Sequence, residues 1–247
     1  MTDHQYVFIG GLHRSGTSLL FQVLRDHPEV SGFRATGVRE DEGQHLQSTY
    51  APAKAFGGAG KFARKPQAHL VEVDDDTAAR HRGELMAAWS PHWDLARRVL
   101  VEKSPPNLVH MRYLQSVFPG ARFIVILRHP VTTSLATKKW RRTQTLWSLI
   151  RHWVVAHDLA LEDAQHLDHF LLVKYEDLVS DPTTTLDTVQ RFIGVEPVAT
   201  LADGAIDASV SDKYTARWHA LNGLYTRALV RRFGDDARRY GYDLDAP

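Results

Sequence analysis

Gly11-Leu12-His13-Arg14-Ser15-Gly16-Thr17-Ser18 is the stretch that decides the fold. Before it, Tyr6 to Gly11 (YVFIGG) is a short apolar run ending in glycines, as a buried strand reads. After it, Leu19, Leu20, Val23, Leu24 and His27 recur at helical spacing until Pro28 stops them. The unit is strand, tight turn, helix. It fits the phosphate-loop pattern GxxxxGK[ST] except that Thr17 stands where the lysine belongs. Such a turn offers backbone N–H groups and a helix N-terminus to an anion. Arg14 is placed to supply the missing charge. The plain alternative is a glycine turn that only starts a helix.

Outward from this unit the chain alternates. Residues 98–103 (RVLVEK) read as a second strand, punctuated by Pro105 and Pro106, and Asn107 to Phe118 as a helix. Ala121 to Leu127 (ARFIVIL) is almost unbroken apolar sequence, the mark of a strand covered on both faces. Pro130 opens another helix, and Leu146, Ile150, Trp153, His157 and Ala160 share one face of a longer one. Phe170 to Lys174 is a fourth strand, Asp181-Pro182 a helix start, and Gly223 to Phe233 a last helix. Strands alternating with helices predict one α/β domain over residues 1–247, a central parallel sheet flanked by helices. Ligands of such sheets bind beyond the carboxyl ends of the strands. That singles out Gly11 to Ser18, Lys103 to Pro106, Arg128 to Ser134 and Tyr175 to Asp177. Residues 31–97 have weaker periodicity and are expected to cover the site and shape an acceptor pocket.

Composition excludes several classes. Hydrophobic residues make up 43% of the 247, enough for a core. Thirty basic against 29 acidic residues leave a net charge of +1, which gives no global pull towards nucleic acid or membrane. Arg231-Arg232 and Arg238-Arg239 are balanced by Asp235, Asp236 and Asp243 and read as a surface helix. With no cysteine there is no disulfide, thiolate metal site or cysteine nucleophile. No run reaches the roughly 18–20 apolar residues of a membrane span, and the N-terminus lacks the features of a secretory signal, so a cytoplasmic setting is expected. No HExxH motif occurs, Asp74-Asp75-Asp76 reads as a solvated cap, and Trp140, Trp147 and Trp153 as core and pocket wall. Gly57-Gly58-Ala59-Gly60-Lys61 is not a second phosphate loop, since position 55 is Ala and Phe62 follows the lysine.

Loss of the loop lysine argues against an ordinary ATPase or kinase. Such enzymes also organise Mg²⁺ with an Asp after a buried strand, whereas here that strand ends in Leu127-Arg128-His129-Pro130. A cation at a strand end suits a fixed anion.

Together these pieces resemble the sulfotransferases that use 3′-phosphoadenosine 5′-phosphosulfate (PAPS), those acting on carbohydrates and on protein tyrosines included. Arg14-Ser15-Gly16-Thr17 looks like the family's loop for the 5′-phosphosulfate. Phe123 to Ser134 (FIVILRHPVTTS) resembles its 3′-phosphate motif, and Glu102-Lys103-Ser104-Pro105 the segment that brings a lysine to the reaction centre. Lys174-Tyr175-Glu176-Asp177-Leu178, followed by Asp181-Pro182, is similar to its later strand and helix. The resemblance implies a fold akin to the P-loop nucleotide kinases, PAPS as donor co-substrate, no metal, and release of the desulfated nucleotide PAP. The sequence departs from the family where a serine commonly follows the arginine by eight residues: that position is Ala136. Ser134 is the nominal replacement, with Thr132, Thr133 and Thr137 nearby.

The chemistry needs cations for the leaving phosphate and a base for the acceptor proton. Arg14 and Lys103 suit the first task, with an ion pair between Lys103 and Glu102 or another carboxylate as the plain alternative for the lysine. His13, Ser15, Gly16, Thr17 and Ser18 complete the phosphate loop, and Arg128 faces the 3′-phosphate. For the base, Arg39-Glu40-Asp41-Glu42-Gly43-Gln44-His45 holds the candidates. The resemblance favours Glu42; Glu40, His45 and His13 are alternatives. Tyr175 is a candidate adenine surface or a core tyrosine. In Ser211-Asp212-Lys213-Tyr214-Thr215-Ala216-Arg217-Trp218, Lys213 and Arg217 are candidates to close over the 3′-phosphate. The acceptor class stays open among small molecules, glycans, lipids and peptides. Two rival readings are a Mg²⁺-dependent P-loop kinase and a PAPS- or PAP-binding protein without catalysis.

Overall fold

The computed structural model describes residues 4–198 and 212–246. The first strand, β1 (Gln5–Gly11), runs into the phosphate loop and α1 (Thr17–Leu24), and β2 (Val30–Gly32) follows. A stretch of short 3₁₀ turns then leads to α2 (Asp75–Trp89) and β3 (Val99–Lys103). Next come α3 (Met111–Val117), β4 (Arg122–Leu127), α4 (Pro130–Lys138), α5 (Leu146–Ala164) and β5 (Phe170–Lys174). The chain closes with α6 (Tyr175–Ser180), α7 (Pro182–Phe192), α8 (Asp212–His219) and α9 (Gly223–Arg238).

All five strands are parallel, in the order β2-β3-β1-β4-β5. The chain leaves β1 towards β2 and leaves β4 towards β5, so connections diverge between β1 and β4. That is where a crevice opens at the carboxyl edge. The loops at that crevice are Gly11 to Ser18 and Arg128 to Pro130. The apolar reading of β4 holds: Phe123, Ile124, Ile126 and Leu127 are fully buried, and so are Val7 and Ile9 of β1 and Val99 to Val101 of β3. Each such side chain contributes about 1.5–3 kcal/mol of burial, which makes the sheet a stiff platform for its loops.

Three elements differ from the sequence expectation. The helix expected over Asn107 to Phe118 is divided into a 3₁₀ turn at Pro105–Val109 and α3. Pro105 and Pro106 have no N–H to give, and the bonds that follow, Asn107 N–H to Ser104 O and His110 N–H to Asn107 O, span three residues. The strand β2 and the helix α2 were not anticipated. The first is three buried residues, too short to show a period; the second buries only Ala78, Leu85 and Trp89. Asp74 does cap α2, accepting from Thr77 N–H at 2.9 Å. Among the described residues no helix is long and apolar enough to cross a membrane.

Candidate active site

The phosphate loop is shaped by contacts that exclude larger residues. A Cβ on Gly10 would fall 2.4 Å from Leu108 N, and one on Gly11 2.7 Å from Ile126 O. Ser15 closes the turn, its N–H and hydroxyl both donating to Leu12 O at 3.0 and 2.6 Å. Arg14 sits in the left-handed region at φ 75, a conformation costing about 1–3 kcal/mol outside glycine. It is held there in part by Arg128, whose Nη1 donates to Arg14 O at 3.2 Å. Gly16, at φ 105, precedes α1 and gives it no side-chain cap. The first N–H groups of α1, from Thr17 and Ser18 on, are therefore donors suited to an anion.

The side chain of Arg14 is exposed and lies against Trp140, its Cζ 4.6 Å from the ring centroid; Arg39 approaches the same ring at 5.8 Å. Trp140, 49% exposed, is thus a cleft wall, whereas Trp153 is core. His13 stays neutral near pH 7. Burial pushes it down to about 4, with Arg39, Lys103 and Arg141 adding to the effect.

Lys103 is 1% exposed and bonds across the cleft floor to the acidic segment: Nζ donates to Glu42 Oε1 and to Glu40 O, each at 3.1 Å. Its carboxylate partner is Glu42, not the adjacent Glu102. Glu42 Oε2 accepts from Gln44 Nε2 at 2.6 Å and faces His45 Nε2 at 3.6 Å. Of the residues named for the base, Glu42 is buried against the lysine. Glu40 is exposed, with its carboxylate 3.5 Å from Ser18 Oγ, and His45 sits at the rim. Glu40 and Asp41 are both left-handed, at φ 56 and 49, so the segment turns sharply where it meets Lys103.

On the other side of the loop, Arg128 is buried with its guanidinium 3.9 Å over the Tyr175 ring. Burial pulls its pKa below the usual arginine value, while Tyr175, Glu176 and Tyr214 favour its charge. The edge of Tyr175 abuts the loop, since a Cβ on Gly16 would lie 2.5 Å from its Cδ2. Tyr175 is a buried wedge between Arg128 and Gly16. The loop after β4 is pinned by the C-terminal segment. Glu176 accepts from His129 N–H at 2.9 Å and from the Tyr242 hydroxyl at 2.7 Å, and His129 Nε2 meets Asp243 O at 3.0 Å.

Ser134, the nominal hydroxyl for the 3′-phosphate, is buried on α4. Its buried hydroxyl has no partner among the described residues. It lines a cavity of about 10 Å³ behind the phosphate loop, with Leu12, His13, Thr137 and His152. Thr137 Oγ1 donates to His13 O at 3.4 Å. The hydroxyls of α4 on this side thus back the loop. Lys213 and Arg217 are exposed on α8, which packs on α4 through its buried Tyr214 and Trp218. Ser211 lies outside the described residues.

His13, Arg14, Thr17 and Ser18 open onto a cleft of about 670 Å³ whose far wall is Arg39, Glu40, Glu42, Gln44, His45, Ala53, Lys54, Gly58 and Ala59. Residues within 31–97 therefore do wall the cleft. Arg141 completes it, donating through Nε to Ala59 O at 3.2 Å. The sequence reading passed over Arg141 and gave Gln44 no role. Only tertiary folding brings them to the loop, and no local spacing announces them. The glycines at 57–60 are packing positions: a Cβ on Gly60 would lie 2.4 Å from Leu149 Cδ2.

Comparison with known proteins agrees with this geometry. The sequence model of the sulfotransferase family matches residues 6–199. Protein-tyrosine sulfotransferase 2 of Gallus gallus is 26% identical over 202 residues, 76% of this chain and 51% of that protein. Heparan sulfate glucosamine 3-O-sulfotransferase 6 of Mus musculus is 28% identical over 216 residues, 78% of this chain and 53% of that protein. The chain spans about half the length of the curated relatives it matches. The sulfotransferase domain from the Synechococcus PCC 7002 olefin synthase shares the fold, with a TM-score of 0.59 over 98% of this chain and 97% of that one at 18% identity. The family match begins inside β1 and runs through both phosphate-facing loops to the end of α7 and beyond. On that extent, the chain belongs to the sulfotransferase family.

Proposed function

We propose that the chain moves the sulfuryl group of PAPS to an acceptor hydroxyl or amine and releases PAP. The observation that carries this reading is the buried Lys103–Glu42 pair, 3.1 Å across, at the mouth of a phosphate loop that lacks the kinase lysine. A cation and a carboxylate at one point, beside a cradle for a fixed anion, are the two groups sulfuryl transfer requires.

The loop amides, Ser15 to Ser18 and Arg14 hold the 5′-phosphosulfate. Arg128, with Lys213 and Arg217 of α8, takes the 3′-phosphate. The acceptor enters the cleft walled by residues 39–59 and Trp140. Its oxygen or nitrogen attacks sulfur, the bond from sulfur to the bridging phosphate oxygen breaks, and the electron pair leaves on the 5′-phosphate. Lys103 stabilises that developing charge, as does neutral His13 donating from its ring. Glu42 takes the acceptor proton. Because β4 ends in Arg128 and not in an aspartate, the anion is met by fixed cations, without Mg²⁺; this favours sulfuryl transfer over the kinase reading. Homologues named for protein tyrosine and for glycans support a peptide or glycan acceptor beside other hydroxyl compounds. A cytoplasmic setting is part of the same proposal.

Calorimetry tests the donor assignment. PAP should bind in EDTA, and more tightly than ATP under the same conditions. ATP binding that requires Mg²⁺ and exceeds PAP binding would overturn it.

A further inference from the structure

Glu102 stands next to Lys103 on β3 and has no part in the proton and charge movements above. Neighbouring strand residues face opposite sides. Lys103 faces α1, with Nζ 6.0 Å from the Phe21 ring centroid. Glu102 faces the turn after the strand and is fully buried. Its carboxylate accepts three bonds: from Gly43 N–H at 2.8 Å, Ser104 Oγ at 2.6 Å and Asn107 Nδ2 at 2.6 Å. Burial pushes the group up to about 7, against the pull of those donors and of Lys103.

Two of these donors are local, and the third comes from 59 residues away. Gly43 directly follows Glu42, and it fits only as glycine, since a Cβ there would lie 2.6 Å from both Cγ and Oε1 of Glu102. The same backbone is held again on either side. Trp89 Nε1 donates to Gly43 O at 3.1 Å, and Gln44 N–H donates to Ser104 Oγ at 3.1 Å. The residues just before, Glu40 and Asp41, carry left-handed backbone without being glycine. A segment so turned does not hold its shape unaided.

We infer that Glu102 is a positioning residue: through the Gly43 amide it fastens residues 39–45 to β3 and so delivers the Glu42 carboxylate to Lys103 and the phosphate loop. The inference rests on reading Glu42 as the base. Glu102 itself touches neither donor nor acceptor. A glutamine in its place keeps an oxygen at Oε1 for Gly43 and Ser104 and turns its N–H₂ to Asn107, so it spares the contact in question; a leucine, close in size, removes the acceptor of all three bonds. Gly43→Ala attacks the same contact from the other partner and leaves the carboxylate and its local bonds in place.

The experiment compares wild type, Glu102→Leu, Gly43→Ala and the double variant by three readouts. These are hydrogen–deuterium exchange of the peptide covering residues 39–45, PAP affinity by calorimetry, and PAP release from PAPS with p-nitrophenol as acceptor probe. Loss of a hydrogen bond to a charged group corresponds to roughly 10- to 100-fold. Exchange in residues 39–45 should rise by that factor in each single variant, while peptides of β1 and β4 keep wild-type exchange. The turnover number should fall by a similar factor, with PAP affinity and the KM for PAPS nearly unchanged. The double variant should be no worse than the worse single, because both break one contact. Unchanged exchange in Glu102→Leu, or additive losses in the double variant, would overturn the inference. If Glu102→Leu does not fold, Gly43→Ala decides by the same readouts. Wild type that neither binds PAP nor releases it would refute the functional reading instead, and the exchange result would still decide whether Glu102 holds the segment.

Discussion

Replacing Arg128 by alanine removes a buried cation from the carboxyl end of β4, and its consequences divide into two parts that can be measured apart. The first part belongs to the fold. The guanidinium donates to Arg14 O at 3.2 Å and lies 3.9 Å over Tyr175. Losing a charged hydrogen bond costs about 1.5–3 kcal/mol, and losing a desolvated cation–π contact about 1–2 kcal/mol. These losses lower the melting temperature and loosen the loop for any ligand. The second part belongs to the 3′-phosphate alone. A charge-assisted bond to it, again about 1.5–3 kcal/mol, is a factor of roughly 10 to 100 in affinity. PAP and AMP differ only by that phosphate, so the ratio of their dissociation constants cancels the loop effect. Calorimetry of both nucleotides on wild type and Arg128→Ala gives the ratio. The expected result is a roughly 10- to 100-fold drop in preference for PAP over AMP. Equal weakening of the two would refute the assignment and leave Arg128 as a support of the loop only.

Three further outcomes follow from the same geometry. Glu42→Gln keeps the shape but removes basicity and leaves one oxygen for two donors, Lys103 Nζ and Gln44 Nε2; the turnover number should fall by about 10²–10⁴, with PAP affinity within a few-fold in calorimetry. Wild-type turnover in that variant, with loss in Glu40→Gln or His45→Ala, would move the base along the segment. Gly16→Ala places a Cβ 2.5 Å from Tyr175 at φ 105, so it should lower the melting temperature and abolish PAP binding together. Retained binding would show that the loop has room the structure denies. Acid should destabilise the fold. His110 and His157 are pushed down by burial to about 3 and about 4, and His13 to about 4, so the unfolded chain binds more protons below about 6.5. Their contribution is complete above 6.5 and is lost as pH falls towards 4. Glu102, raised to about 7, works in the opposite sense and offsets one of them. The melting temperature should therefore drop between pH 6.5 and 5 by calorimetry, and a rise over that range would contradict the neutral, buried state of these histidines.

The sequence carried the sheet because β1, β3 and β4 are buried on both faces, and a run such as ARFIVIL leaves no other reading. It carried the phosphate loop because glycines at fixed spacing are what the close contacts at Gly10, Gly11 and Gly16 demand. What it could not carry was partnership across distance. Lys103 has more than one carboxylate within plausible reach, and spacing alone does not choose between them; the strand's alternation sends Glu102 and Lys103 to opposite faces, and Glu42 arrives from 61 residues away. Ser134 is two residues from Ala136 along the chain, and a helix turns about 100° per residue, so nearness in sequence does not tell that its hydroxyl lines the cavity behind the loop. Tyr175 ended a strand in the right motif, and only the packed structure shows Arg128 on its face and Gly16 at its edge.

The most direct test of the account is the transfer itself. The purified chain is incubated with radiolabelled PAPS in EDTA against phenol, amine, tyrosine-peptide and glycan acceptors, and PAP and labelled product are counted together. The account predicts equal amounts of PAP and sulfated acceptor without divalent cation. It also predicts a loss of roughly 10²-fold or more in Lys103→Ala, as removal of a charge-stabilising donor gives. No PAP from any acceptor, with phosphoryl transfer from ATP once Mg²⁺ is added, would contradict it.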